Sequence, residues 1–204
     1  MHRSVLRVIS ATLPVTPPSA DAPRKDYVVA ADALGAVLLD RSAVARGSCF
    51  TRWLARLSMP IAQAWLAFRM RDAYRAVVTD GEHIGIPLAL LLKVARARTR
   101  HVTIGHRISA AKKRPFFRWL RIHTHITRIA LHARRQYELG RDELGVPVER
   151  MAMLPYQVDT AFWRPMPDVR ERRLVCSAGL EFRDYATLAR ELTDLLVRAG
   201  LQHA

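Results

Sequence analysis

Apolar and polar positions along the chain fall into two alternating kinds of block. Short apolar runs at 5–9, 36–39, 76–79, 100–105, 126–131 and 151–154 read as buried strands. Between them lie segments with helical spacing at 27–34, 51–74, 84–96, 115–121 and 133–144. Gly35 ends the first of these helices, and Gly145 stops the last, with Gly140 as a candidate break. In 51–74 the apolar positions Trp53, Leu54, Leu57, Ile61, Trp65 and Phe68 recur at helical intervals and are expected to pack inward. Pro60 should start a second helix there or kink the first, and Pro87 fits the first turn of the helix at 84–96. The segment 11–26 carries four Pro residues and small polar residues and reads as a loop. Strand and helix taken in turn predict an α/β fold with a doubly wound parallel sheet.

The pattern changes character at 154–165, which reads LPYQVDTAFWRP. A Pro stands near each end, three aromatics lie between, and Val158-Asp159 suits a tight turn after a strand. A new strand at 173–178 and a new helix at 184–198 follow, with Leu188, Leu192, Leu195 and Leu196 on one helix face and Gly200 as its stop. The segment 154–165 is therefore expected to be the crossover between two α/β domains, with the active cleft beside it.

The same residues resemble the inter-domain signature of retaining GT-B glycosyltransferases, P-x-G-V-D-x-x-x-F-x-P. Pro155, Val158, Asp159 and Pro165 fit without a gap, Trp163 stands at the Phe position, and Gln157 replaces the Gly. Leu144, Gly145 and Pro147 resemble the Leu-Gly-x-Pro that precedes the signature strand in this family. After the signature the family shows a strand, Gly-Arg-Leu and a Lys. Here Gly179 fits, Leu180-Glu181 replaces Arg-Leu, and Arg183 stands where the Lys is expected.

The resemblance covers about 76–195 and implies two Rossmann-like domains. Residues 1–164 would form the acceptor-side domain, 165–172 the linker, and 173–204 the incomplete start of the nucleotide-sugar-binding domain. The family's carboxyl-terminal Glu pair, spaced E-x7-E, would fall beyond Ala204, so a truncated chain inactive by itself is expected. The implied reaction is transfer of a sugar, with retention, from a nucleotide diphosphate sugar to a sugar or lipid-linked acceptor. No further cofactor and no metal are implied, and no Asp-x-Asp pair or Gly-rich phosphate loop is present in the sequence.

Site residues follow from the strand ends and from the resemblance. His106 follows the strand at 100–105, on the presumed cleft side. The resemblance gives it the catalytic place beside the transferred sugar; a bond to a neighbouring carbonyl is the plainer alternative. Gly81, Glu82 and His83 open a helix directly after a strand, where free N–H groups suit a phosphate or a hydroxyl-rich acceptor. Arg107 joins them as a substrate-binding candidate. Simple capping by Asp80, with Glu82 in the first turn, is the competing account. Gly179 and Arg183 are implied as donor-diphosphate contacts, since a fixed guanidinium can hold the leaving diphosphate without a metal. Against this stands a surface Arg183 paired with Asp184 or Glu181. His123 and His125 flank Thr124 and would face one way on a strand, without a third ligand.

Charge adds a second possibility. Formal net charge is +15, and no Asp or Glu occurs between His83 and Tyr137 while cations recur from Lys93 to Arg135. Such a field attracts nucleotide diphosphates, anionic lipid or nucleic acid, or it only solvates helix faces. Within it, Lys112, Lys113, Arg114, Phe116, Phe117, Arg118, Trp119 and Arg121 mix rings with cations, which suits an anionic membrane or single-stranded nucleic acid. The alternative function is thus a basic, non-catalytic module that binds one of these. No apolar run is long enough to span a bilayer, and Cys49 and Cys176 fit no metal or redox spacing. A cytoplasmic protein is expected, with peripheral contact to the inner membrane face left open.

Overall fold

The computed structural model describes residues 5–13, 22–165 and 184–198. The chain divides into two compact units, Met1–Arg164 and Pro165–Ala204.

The first unit is built on six parallel strands: β1 (Val5–Val8), β2 (Ala36–Leu39), β3 (Val77–Thr79), β4 (His101–Gly105), β5 (Arg128–Leu131) and β6 (Met151–Met153). Their spatial order is β2-β1-β3-β4-β5-β6. All five pairings are parallel. The fold is therefore α/β with a Rossmann-like parallel sheet flanked by helices, as the alternation of blocks predicts. The order reverses direction once, between β1 and β3. Right-handed crossovers then place the helix after β1 on one face and those after later strands on the other.

The two faces are filled accordingly. Register sets Leu6, Val8, Val77, Thr79, His101, Thr103, Ile129, Leu131 and Met151 on one face, and all are buried. Helices α4 (Met59–Met70), α5 (Glu82–Val94) and α7 (Arg134–Asp142) belong to this face. Ala64 and Ala67 pack with Leu6, Val8 and Leu39, while Ile86 and Ala89 join the cluster around Ile129 and Leu131. Gly85 lets α5 lie close on the sheet, since a Cβ there would collide with the hydroxyls of Thr79 and Thr103. On the opposite face Arg7 is buried and pairs with Asp80 (3.3 Å) and, at 3.8 Å, with Asp26 of α1 (Asp26–Leu34).

Several elements depart from the sequence pattern. The helical stretch at 51–74 is two helices, α3 (Cys49–Leu57) and α4, of the two alternatives the one in which Pro60 starts a second helix; they break at Ser58, whose φ/ψ of −163°/113° is extended. Pro60 falls in the first turn of α4, where a missing N–H leaves no bond unmade. A short helix, α2 (Arg41–Ala45), was not evident in the pattern; Asp40 caps it by accepting from the Ala43 N–H. Helix α5 begins at Glu82, so Pro87 lies inside it and not in its first turn. Gly81 is its N-cap; Asp80 does not cap because its carboxylate is taken by Arg7.

Gly140 does not break α7, because its bare Cα faces Met151 and Ile108 in the core. Gly145, at φ 66°, makes the left-handed turn after the helix. The helix around Phe116 is only α6 (Arg114–Arg118). His123 and His125 lie in a 3₁₀ turn, Ile122–His125, and so do not share a strand face; His123 is buried. The stripe at 53–68 is a core stripe only in part: Phe68 packs on the core and Leu54 and Trp65 are half-buried, but Trp53, Leu57 and Ile61 are exposed.

In the second unit the described residues form α8 (Tyr185–Arg198), begun by Asp184, which accepts from the Thr187 N–H (2.9 Å). The strand expected at 173–178, together with Gly179 and Arg183, lies outside the described residues.

Candidate functional site

Three strands deliver three rings to one edge of the sheet. Gly105 and Leu131 are register partners at the ends of β4 and β5, so the next residues, His106 and His132, emerge side by side. Their rings stack with centroids 5.5 Å apart. Beyond β6, Tyr156 stacks on His132 at 4.3 Å with an interplanar angle of 16°. His132 Nδ1 lies 2.8 Å from the Leu154 carbonyl oxygen, which can only accept. Nδ1 therefore carries the proton, and Nε2 keeps its lone pair in the neutral ring.

This column walls a cavity of about 670 Å³. Pro23, Arg24 and Lys25 line it from the segment entering α1, Asp26, Val29, Ala30 and Ala33 from α1 itself, and Gln157, Val158, Asp159 and Trp163 from the segment after β6. Open α/β sheets place ligands at the carboxyl ends of their strands, and this cavity lies there.

Asp159 closes the rim. Its carboxylate accepts from the Arg24 backbone N–H (2.9 Å), Nε (3.1 Å) and Nη2 (2.8 Å). These bonds, led by the Arg24 side chain, hold its carboxyl far below the usual carboxylate range. Asp159 also accepts from the Ala161 N–H (3.3 Å), and its own carbonyl accepts from Trp163 (2.8 Å). One side chain thus shapes the turn after β6 and ties it to the segment before α1.

The remaining sequence candidates lie elsewhere. Gly81, Glu82, His83 and Arg107 do not line the cavity. The Glu82 carboxylate is buried and accepts from the backbone N–H groups of His106 (2.9 Å) and Arg107 (3.1 Å) and from Lys113 Nζ. Burial acts to raise its pKa, but the Lys113 hydrogen bond and the amides of Glu82 and His106 outweigh it, so the carboxyl titrates below its ordinary value. Glu82 therefore positions the backbone that carries His106. Gly81, at φ 146°, has no room for a side chain because the His83 ring folds over it. His83 keeps an exposed edge; desolvation of the rest of the ring, opposed by Glu82 and aided by the neighbouring His106, lowers its pKa.

His132, Tyr156 and Arg24 were not singled out by sequence reasoning. The signal for His132 was present: two blocks, Ile104-Gly105-His106 and Ala130-Leu131-His132, each end a strand in His. Arg24 had none, because its partner is 135 positions away. Among the described residues no group of three His, Cys, Asp or Glu side chains is placed to hold a metal ion.

No protein-family model, no curated protein and no solved structure matches this chain.

Proposed function

We propose that this chain serves the acceptor side of sugar transfer from a nucleotide diphosphate sugar, with retention, in the manner of the GT-B glycosyltransferases that the 154–165 segment resembles. One observation carries the reading. His106, chosen as a strand-end residue and given its role by the same resemblance, lines one cavity with Tyr156, Gln157, Val158, Asp159 and Trp163 at the carboxyl edge of the sheet.

The chemistry of that cavity suits a saccharide. Flat rings of His106, His132 and Tyr156 offer faces for the C–H side of a pyranose, and the polar groups at their edges can bond its hydroxyls. His132 Nε2 accepts from a hydroxyl, and Lys25, Asp26 and Gln157 complete a polar rim. In this reading His106 stands nearest the transferred sugar and Glu82 holds it in place, while Gly81, His83 and Arg107 lie outside the cavity lining. Gly179 and Arg183 keep their proposed role toward the donor diphosphate, and the donor is the substrate with no further cofactor.

The test is an NMR titration of the full chain with mono- and disaccharides and with a lipid-linked sugar in detergent. The reading expects saturable shifts of the His106 and His132 ring protons and of the Trp163 indole N–H. Saccharides that leave all three unmoved at millimolar concentration would remove its support.

A further inference from the structure

We propose that the corner formed by α3 and α4 docks on an anionic lipid bilayer. This goes beyond sugar transfer and does not rest on it.

The two helices divide their large apolar side chains between the core and the surface. The fully buried residues of α4 are Ala62, Gln63, Ala64 and Ala67, and α3 buries only Thr51. Leu66, Phe68 and Met70 pack half-buried against the core, while a second set stays outside it. Phe50 (49 %), Trp53 (51 %) and Leu57 (68 %) are exposed and their spacing sets them on one face of α3; Ile61 (43 %), in the first turn of α4, is exposed as well. A row of ring contacts runs from the exposed face back toward the core: Phe50 stacks on Trp53 (5.6 Å) and meets half-buried Trp65 edge-on (5.3 Å), and Trp65 stacks on core-packed Phe68 (6.0 Å). Arg71 closes the row, its guanidinium 4.1 Å from the Phe68 ring centre. A contiguous apolar surface of this kind on a soluble unit marks an interaction site.

Charge identifies the partner. From Arg41 to Arg71 there is no Asp or Glu. Arg41, Arg52, Arg56 and Arg69 are exposed and make no salt bridge among the described residues, while Arg46, also exposed, acts on the Asp40 carboxylate. Apolar tips rimmed by cations of one sign fit a negatively charged membrane, with the tips in the acyl boundary and the guanidiniums at lipid phosphates. Aliphatic Leu57 is the most exposed of the four, and no nucleic-acid base can stack on it.

The experiment is sedimentation of the full chain with vesicles of phosphatidylcholine alone and of phosphatidylcholine with about a third phosphatidylglycerol. Binding to the mixed vesicles, weakened by salt and at least about tenfold weaker to phosphatidylcholine alone, is expected. Two variants separate the contributions, Trp53→Ser with Leu57→Ser, and Arg52→Glu with Arg56→Glu. All four positions are exposed, so the fold should persist, with circular dichroism as the check. Each variant should bind the mixed vesicles about tenfold or more weakly. Three results would overturn the proposal: no binding to mixed vesicles, variants that bind as the parent does, or a dimer that Trp53→Ser with Leu57→Ser disrupts while vesicle binding is absent.

Discussion

Glu82 shows how one side chain can be assigned to a site by its neighbours and yet act through the backbone. It sits in the first turn of α5, where a carboxylate is favoured by the helix dipole. Its oxygens are taken up by the His106 and Arg107 amides and by Lys113. Replacing it by Gln leaves the Lys113 ammonium, only 16 % exposed, without its charge partner. Breaking a largely buried ion pair in this way costs on the order of 3 kcal/mol. We expect Glu82→Gln to lose about that much stability in urea and to speed hydrogen exchange at the His106 and Arg107 amides. An unchanged midpoint with unchanged protection would show that the carboxylate does not hold this loop. The role was hidden in the sequence because its partners lie 24 to 31 positions away and two of them are backbone amides. His106 was legible because a strand end positions it locally.

At the scale of elements, α5 lies on a polar layer of the sheet. Thr79 Oγ1 donates to Thr103 Oγ1 (2.9 Å) and lies 3.2 Å from His101 Nε2, all beneath the helix. Burial pushes the His101 pKa down to about 4, from 6.5 for an ordinary His. Between these values the unfolded chain binds a proton that the folded chain refuses. Stability therefore rises with pH across that window: the contribution is complete above about 6.5 and is lost as pH falls toward 4. The shift corresponds to up to about 3 kcal/mol. Urea midpoints measured from pH 4 to 7 should climb, and His101→Gln should flatten the climb. A parent protein with a level profile would contradict this packing.

Strands were readable because each is a short apolar run that a parallel sheet buries. Some helix ends were readable too: Gly35 is the left-handed C-cap of α1, and Pro60 falls in the first turn of α4. Others were not, such as the start of α5 at Glu82 and the whole of the short α2. The outward turn of Trp53 and Leu57 was also invisible, since periodicity gives a face but not its direction.

At the scale of the molecule, strand order brings the ring column and the cavity to one edge. The Asp159–Arg24 clamp joins the segment after the last strand to the segment before α1, and between them the ring column lines a cavity. Sequence reasoning reached this edge through His106 and through Val158-Asp159, and it missed the clamp because Arg24 lies in a Pro-rich stretch without periodicity.

The central claim is that this cavity holds a saccharide against the ring column. Isothermal titration of the parent chain, Tyr156→Ala and His132→Ala with the saccharide that shifts the His106 ring measures it most directly. Losing one stacked ring is worth about 1 kcal/mol, so each variant should bind about fivefold more weakly. Variants that fold and bind that saccharide as tightly as the parent would place it somewhere other than this cavity.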